Sequence, residues 1–435
     1  MRRTILLAFM LYLVGSTLTA TAADKPNIVL MLSDDQAWNG LSVPMHPEVA
    51  ESRGRFYSTP NLERLAAQGM RFSQAYAPAP VCSPTRISLQ TGMSPAQLHW
   101  TKAAPPVEGM KLIEPHLIKN IGDDVVTIGE LLRDAGYATA HYGKWHIGGG
   151  GPGRHGYEEH DGDTGNENAA KFVDPNPVDI FGMADRAEQF MAKAKRDRKP
   201  FFIQLSWNAL HASENASKAA LAKYEKLMSV ANEKAISTAA ITEDLDRGVG
   251  RVLDSIDKLA LKDSTYVIYM SDNGAGGGSA GGNAGGGKRG GLRGGKGGVW
   301  EGGLRVPFII RGPGIAADAW CHVPIVGYDL FPTFAALACI PKEKIPARVE
   351  GEASSTCFIE PSKVQLKQVQ FIVASKALSS TFLIIRAKAR SLRFWWDRTN
   401  WFISMRTGRM RCSTFPKTSE SDRTCRELCR RKLKG

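Results

Sequence analysis

Short apolar runs alternate along the chain with amphipathic segments of helical period. Asn27–Ser33 (NIVLMLS) is a nearly continuous apolar run, typical of a strand buried on both faces of a parallel sheet. Similar runs lie at residues 137–142, 200–206, 265–271 and 306–311, and helical patterns lie at residues 60–68, 126–135 and 185–196. Strands that alternate with helices predict an α/β fold with a mostly parallel sheet.

Polar residues follow four of these strands directly, at the carboxyl ends where such sheets bind ligands. They supply side chains that ligate metals or exchange protons, namely Asp34 and Asp35, Lys144 and His146, His211, and Asp272 and Asn273. Taken singly, the first pair is also typical of a helix N-cap and the last pair of a turn.

Residues 274–303 are very rich in glycine and contain several basic residues, including Lys296. Such a segment is typical of a flexible linker. A glycine-rich basic loop after a strand can also bring backbone N–H groups and cations to an anion. Both interpretations stay open from this segment alone, which contains no GxxxxGK[ST] phosphate-binding loop.

Length and charge narrow the class of protein. The chain has 435 residues and a formal net charge of +13. Residues 352–435 hold 18 Lys and Arg against 6 Asp and Glu, whereas residues 24–351 hold 36 basic and 37 acidic residues. The neutral body argues against a nucleic-acid partner. Seven Cys in so long a chain do not indicate a disulfide scaffold.

The N-terminus has the pattern of a secretory leader. Arg2 and Arg3 precede an apolar run at residues 5–14, and small residues follow as far as Ala22. We expect residues 1–23 to be a cleaved signal peptide and the mature protein to be secreted or periplasmic. A membrane anchor is the alternative, but the apolar run is shorter than the ~20 residues of a span, so we expect no stable anchor.

Cys82 begins the segment CSPTR, which ends at Arg86, within YAPAPVCSPTRISLQTG. Alone, this segment is equally typical of a buried Cys near a turn or helix start, or of half a disulfide, because Ser and Pro favour turns and helix starts. A thiol-phosphatase loop is disfavoured, since its Cys and Arg are separated by five residues and those here by three.

Several motifs together resemble the formylglycine-dependent (type I) sulfatases. In the family's order they are PNIVLMLSDDQ, C-x-P-x-R with S-L-x-T-G, YGKWHIG, SDNG and GGKGGVWEGGLRVPFI, across residues 24–340. The combination is most similar to the bacterial branch related to arylsulfatases and N-acetylgalactosamine-6-sulfatases. It implies an alkaline-phosphatase-like fold, in which helices sandwich a large mixed, mostly parallel sheet.

The resemblance implies an enzyme that hydrolyses sulfate esters of a small molecule or glycan. Its nucleophile would be a residue modified after translation. A formylglycine-generating enzyme would convert Cys82 to formylglycine, which hydrates to a diol. One hydroxyl attacks sulfur and expels the alcohol, and loss of the proton from the second hydroxyl then releases sulfate. The unmodified Cys82 form is expected to be almost inactive.

The resemblance also implies a role for each matching residue. Asp34, Asp35, Asp272 and Asn273, with Cys82, match the metal site, where hard oxygen donors suit Ca²⁺ or Mg²⁺ rather than zinc and the family implies Ca²⁺.

Five further residues match groups that hold the diol and the sulfate or move protons. They are Arg86 and Lys144, His146 as the base for collapse of the diol, His211 as the donor to the leaving oxygen, and Lys296 as a sulfate ligand. Ser213 replaces a Pro that the family often has two residues after the His.

The resemblance fades near Glu350, where family members continue into a smaller antiparallel domain that walls the substrate cleft. Residues 352–435 contain two Gly, against 42 in the first 351 residues, and four of the seven Cys. We therefore predict a catalytic domain at 24–350 and an atypical basic tail at 351–435, a C-terminal subdomain that is incomplete or corrupted. Our hypothesis is translation out of frame, which resequencing tests; a divergent basic domain or a glycan-binding extension is the alternative.

Two other functions stay open. One is a phosphate- or phosphonate-ester hydrolase on the same scaffold, although such enzymes usually have more metal-binding His and Asp and often a Thr or Ser nucleophile. The other is an inactive relative that binds glycans through its basic tail.

Overall fold

The computed structural model describes residues 25–103, 117–211, 215–228, 231–276 and 291–354, and the backbone of five strands between 368 and 414. The predicted leader at 1–23 and Ser213 lie outside the described residues. Among the residues that are described, no helix has the length and hydrophobicity that crossing a membrane requires.

Eight strands form the central sheet. They are β1 (Asn27–Ser33), β2 (Met70–Phe72), β4 (Ala138–Gly143), β5 (Glu159–His160), β6 (Phe201–Ser206), β7 (Thr265–Ser271), β8 (Phe308–Arg311) and β9 (Ala319–Cys321). Their order across the sheet is β5-β4-β6-β1-β7-β8-β2-β9. The first five strands in this order are parallel, and β8 is antiparallel to both β7 and β2. The predicted mixed, mostly parallel sheet is therefore confirmed.

Helices cover both faces of this sheet. They are α1 (Pro60–Ala67), α2 (Cys82–Thr91), α3 (Ile128–Asp134), α4 (Ile180–Arg196), α5 (Lys218–Leu227), α6 (Glu233–Lys258), α7 (Glu301–Leu304) and α8 (Leu330–Leu337). Along β1, Val29 and Met31 enter an apolar core that they share with α1, α4, α5 and α6. Ile28 and Leu30 enter a second core with α2, α3 and α8. Burial on both faces explains the continuous apolar run of β1.

Two short strands, β3 (Ala75–Tyr76) and β10 (Ile325–Val326), pair with each other outside the central sheet. Further along the chain, the described backbone forms two antiparallel sheets. Their strands are β11 (Gln368–Ala374) with β12 (Phe382–Lys388), and β13 (Leu392–Trp396), β14 (Trp401–Arg406) and β15 (Arg409–Thr414). The division at residue 350 stays a prediction.

Several predicted boundaries were wrong. The helix predicted at 185–196 begins earlier, at Ile180, and the strand predicted at 306–311 is limited to Phe308–Arg311. The 26-residue helix α6 was not predicted. In α4 the missed first turn includes Gly182, a residue that weakens a helical pattern.

Candidate active site

The carboxyl ends of four neighbouring strands, β4, β6, β1 and β7, meet at one edge of the sheet. Backbone hydrogen bonds continue the ladder past the strand ends, from Lys144 N–H to the Ser206 carbonyl at 2.8 Å and from Asp272 N–H to the Ser33 carbonyl at 3.0 Å. Because the strands are parallel neighbours, the polar residues that follow them lie together, as the pattern predicted.

Cys82 is the first residue of α2, and all ten residues of this helix are buried. The N-cap residue is Val81, whose side chain cannot accept a hydrogen bond from the first turn. The N–H groups and the dipole at this end of the helix favour an anion. Burial raises the pKa of the Cys82 thiol, so the unmodified side chain is a weak nucleophile at neutral pH.

Arg86 lies one turn after Cys82 and joins α2 to two strand ends. Its Nε and Nη2 donate to Asp272 Oδ2 at 3.0 and 2.8 Å, and Nη2 also donates to Asp34 Oδ2 at 3.2 Å. Its Nη1 donates to the Lys144 carbonyl at 2.6 Å, and the Lys144 ammonium contacts Asp34 Oδ2. All four of these side chains are at most 2% exposed, so they form a buried network of alternating charge.

A second group of residues lies beside this network. Asn273 Nδ2 donates to Asp35 Oδ1 at 2.7 Å, and Lys296 Nζ donates to Asp35 Oδ2 at 2.6 Å. The Asp35 N–H donates to Asp272 Oδ1 at 3.2 Å and connects the two groups. The Lys296 and Asp35 side chains are 24% and 11% exposed, so this pair faces the opening of the site.

The glycine-rich segment positions Lys296. The Lys296 N–H donates to the Ala275 carbonyl at 3.0 Å, and the next residue, Gly297, donates to the Pro80 carbonyl at 2.8 Å, next to the Cys82 segment. At Gly274 a Cβ would lie 2.0 Å from the Gly302 carbonyl oxygen, so only glycine fits where the two ends of this loop meet. The described part of the loop is therefore ordered, and it places the Lys296 ammonium at the site.

Two buried oxygens at the centre of the site, Asp34 Oδ1 and Asn273 Oδ1, have no hydrogen-bond partner in the described part of the chain. Donor atoms of Asp34, Asp35 and His211 lie within 4.8 Å of one another. Burial and the neighbouring Asp34 carboxylate raise the pKa of Asp35 to about 7 and also raise the pKa of Asp272. Oxygen atoms without hydrogen-bond partners, beside carboxylates whose negative charges repel one another, fit a divalent cation such as Ca²⁺.

When all the carboxyls are ionised, as a bound cation would favour, the formal charges of the site's own side chains balance. Arg86, Lys144 and Lys296 supply three positive charges, and Asp34, Asp35 and Asp272 supply three negative charges. Burial opposes ionisation of Asp34, but Lys144 and Arg86 outweigh it and hold the pKa of this carboxyl below its usual value. A divalent ion would leave an excess of two positive charges, which suits an anionic substrate.

Both histidines lie close to Asp34. The backbone N–H of His146 donates to the Thr164 carbonyl at 2.8 Å. The ring Nδ1 of His146 is buried without a partner among the described residues. Burial, followed by the positive charges of Lys144 and Arg86, lowers the pKa of His146 to about 3. The imidazole is therefore neutral at neutral pH, and its unprotonated ring nitrogen can accept a hydrogen bond.

His211 is held by the turn that follows β6. Hydrogen bonds of 2.8 Å join Asp34 N–H to the Ala209 carbonyl and Leu210 N–H to the Asp34 carbonyl. The His211 N–H donates to the Asn208 carbonyl at 2.8 Å, which closes the turn. The structure thus brings together every residue that the sequence singled out: Asp34, Asp35, Cys82, Arg86, Lys144, His146, His211, Asp272, Asn273 and Lys296.

Thr164 was missed by the sequence analysis. Its carbonyl accepts from His146, and its hydroxyl donates to the Gly143 carbonyl at 2.5 Å and accepts from the Trp145 N–H at 3.1 Å. It therefore supports the whole segment from β4 to His146. The one available signal was its place in the polar loop DGDTGN, which no strand pattern connects to the site.

Comparisons with known proteins show relatives over most of the chain. The sulfatase family model matches residues 26–340. N-acetylgalactosamine-6-sulfatase of Homo sapiens is 31% identical over 354 residues, covering 73% of this chain and 63% of that protein. Arylsulfatase A of Homo sapiens is 29% identical over 364 residues, covering 73% of this chain and 65% of that protein. The chain thus spans less than two thirds of the length of these curated relatives.

Solved structures share the fold. The crystal structure of Ps i-CgsB in complex with k-i-k-neocarrahexaose superposes with a TM-score of 0.67 and 23% identity, covering 92% of this chain and 90% of that chain. The resemblance and the fold class that the sequence predicted are both confirmed. This chain belongs to the sulfatase family.

Proposed function

We propose that this chain is an exported hydrolase of sulfate monoesters, either aryl sulfates or sulfated glycans, that acts through a formylglycine made from Cys82 beside a bound Ca²⁺. One observation carries the proposal: the start of α2 lies near three cationic side chains and near two buried oxygens that have no partner among the described residues. The names of the relatives, N-acetylgalactosamine-6-sulfatase and arylsulfatase A, support the choice of reaction.

The cations are proposed to bind and orient the sulfate group. Lys296 is partly exposed to solvent and would contact the substrate first, whereas Lys144 is fully buried next to Asp34. The first-turn N–H groups of α2 would add hydrogen-bond donors in the same direction. Such preorganised donors stabilise the negative charge that grows on the sulfate oxygens as the ester bond breaks.

Ca²⁺ would be held by Asp34, Asp35, Asp272 and Asn273, and when bound it would draw charge from a sulfate oxygen. Asp34 Oδ1 and Asn273 Oδ1 are the two oxygens best placed for it, because they have no other partner within the described residues. Mg²⁺ is less suitable, since it demands near-ideal octahedral geometry and dehydrates reluctantly.

Formylglycine would supply a hydroxyl nucleophile on a carbon that can also release the product. The thiol is poorly suited to this role, because burial raises its pKa and keeps it protonated. Among the chain's own residues, neutral His146 would accept a proton from the group at position 82, and His211 would donate one to the leaving alcohol.

Two further elements belong to the proposal. A formylglycine-generating enzyme would be the maturation partner, because conversion of the Cys82 thiol to an aldehyde is an oxidation that needs its own catalyst. Residues 1–23 would direct export and be removed. The substrate would be a sulfated small molecule or glycan.

The test compares kcat/KM for p-nitrophenyl sulfate and p-nitrophenyl phosphate, with the full chain produced alongside a formylglycine-generating enzyme. We expect the sulfate to be the better substrate and Cys82→Ala to reduce its hydrolysis by at least about a thousandfold, as removal of a nucleophile does. A preference for the phosphate would favour the esterase alternative. Heparin binding without any turnover would favour the inactive glycan binder.

A further inference from the structure

Helix α2 is attached to the sheet at two points. Cys82, Arg86 and Gln90 follow one another at intervals of four residues, so they lie along one face of the helix. Arg86 makes the first attachment, through Asp34, Asp272 and the Lys144 carbonyl. Gln90 makes the second, one turn deeper in the protein.

Gln90 belongs to a buried chain of polar side chains. Its Nε2 donates to Gln204 Oε1 at 2.8 Å, and its Oε1 accepts from the Tyr157 hydroxyl at 2.9 Å. Gln204 Nε2 then donates to Ser206 Oγ at 3.1 Å. Each of these four residues is at most 2% exposed.

The two attachments form one closed circuit. The Ser206 carbonyl accepts from the Lys144 N–H at 2.8 Å, and the Lys144 carbonyl accepts from Arg86 Nη1 at 2.6 Å. A path that leaves α2 at Gln90 therefore passes through Gln204 and Ser206 to Lys144 and returns to the same helix at Arg86.

Burying this circuit of polar side chains costs more free energy than filling the same space with apolar ones. Apart from His141, whose Nε2 lies 3.3 Å from Ser206 Oγ, the surroundings are largely apolar, with Phe202, Trp145 and Phe334 in the same cluster as Tyr157. An apolar pair in place of two amides is often close to neutral for stability. Directional hydrogen bonds restrict the rotation and slide of a helix more than apolar contacts do. Rotation of α2 would move position 82 relative to Lys144.

We propose that Gln90 and Gln204 are positioning residues. They fix the position of Cys82, at the start of α2, relative to Lys144, which follows the carboxyl end of β4. This inference rests on the proposed function, because this relative position matters only if position 82 reacts with a group that Lys144 contacts. A displacement of about 1 Å in such a site reduces catalysis by as much as about a hundredfold.

The experiment compares Gln90→Met, Gln204→Met and the double variant with their parent, all in the full chain carrying Tyr157→Phe. The Phe removes the buried hydroxyl that donates to Gln90 and Gln204 and that the double variant would otherwise leave unpaired. Met matches the length of Gln without its hydrogen bonds. Each single variant leaves polar groups of the remaining amide unpaired and should lower the melting temperature. The double variant should recover most of that loss, because no amide remains and Ser206 Oγ keeps the His141 ring nearby, at 3.3 Å. We expect kcat for p-nitrophenyl sulfate to stay at least about tenfold low in the double variant, with KM changed less.

Asn61→Ala is the matched control. Asn61 Nδ2 donates to Asp246 Oδ2 at 2.9 Å between α1 and α6, so its loss lowers stability through a partly buried hydrogen bond that does not involve α2. It should leave kcat within about twofold. Mass spectrometry of the Cys82 peptide in every variant separates a change in position from a change in maturation.

Recovery of both melting temperature and kcat in the double variant would overturn the positioning role and leave the proposed function intact. No turnover by the unmodified, matured chain would instead overturn the proposed function. In that case amide hydrogen exchange of the first turn of α2 decides the inference: faster exchange in the stability-matched double variant supports it, and unchanged exchange refutes it.

Discussion

The candidate site has two layers with similar charges in different surroundings. The floor, Asp34, Arg86, Lys144 and Asp272, is at most 2% exposed, and its groups contact one another through hydrogen bonds and ion pairs. The rim, Asp35, His211 and Lys296, is partly open to solvent. A charge that loses its partner in the floor stays buried, whereas one in the rim can be hydrated. Changes in the floor should therefore report mainly on folding, and changes in the rim mainly on function.

The largest effect on stability is expected for Arg86→Met. This change removes the main partner of the buried Asp272 carboxylate and one of the two cations beside Asp34, and should lower the free energy of unfolding by about 3–5 kcal/mol. Urea unfolding measures this loss. Arg64→Met is the control, because its pair with Asp254 is exposed and should contribute no more than about 1 kcal/mol. Equal losses in the two variants would remove the distinction between buried and exposed charge.

Addition of a cation should give the next largest effect. Ca²⁺ at about 100 times its Kd should stabilise the EDTA-treated chain by about 2.7 kcal/mol, because it binds the folded state alone. Thermal unfolding with and without Ca²⁺ measures the shift. Asn273→Ala should reduce it by removing Oδ1, which has no partner in the part of the chain that is described. Asp254→Asn, in an exposed ion pair, should leave the shift unchanged. An equal shift in Asn273→Ala would place the cation elsewhere.

Lys296→Met should separate function from stability. The Lys296–Asp35 pair is partly exposed, so its loss should change the free energy of unfolding by no more than about 1 kcal/mol. Loss of a cation that contacts sulfate should lower kcat/KM for p-nitrophenyl sulfate by roughly a hundredfold. Lys193→Met, which removes an exposed pair with Glu159, controls for loss of charge. Unchanged kcat/KM in Lys296→Met would exclude a role for Lys296 in sulfate binding.

The smallest expected effect concerns pH: protonation of His146 should not change kcat between pH 7 and 5. His146 has its pKa lowered to about 3 by burial and by the charges of Lys144 and Arg86, so it stays neutral as the pH falls from 7 to 5. A kcat profile over this range should show no acidic limb that belongs to His146. His146→Gln should lower kcat without changing the shape of the profile. An acidic limb near pH 6.5 that disappears in this variant would contradict the assignment.

Much of the floor could be predicted from the sequence because its residues directly follow strands. β1 and β7 lie at the residues that their apolar runs predicted, and Asp34 and Asp272 come next in the chain. The order of strands could not be predicted, since spacing along the chain does not say which strands are neighbours. Contacts such as Gln90–Gln204, 114 residues apart, depend on that order and were missed.

The rim was harder to predict than the floor. Lys296 lies in a glycine-rich segment with no period, and its place follows from two backbone hydrogen bonds that no pattern shows. The sequence motif, not the physics of the segment, singled it out. The tail beyond residue 350 is a similar case: its composition suggests translation out of frame, which stays a hypothesis for resequencing to test.

The central claim is that position 82 carries the reacting group. Mass spectrometry of the peptide that contains this residue, from a preparation with measured activity on p-nitrophenyl sulfate, tests it most directly. We predict an aldehyde in place of the thiol, in a fraction of molecules that rises in proportion to specific activity across preparations. A fully active preparation in which every such peptide retains its thiol would contradict the account.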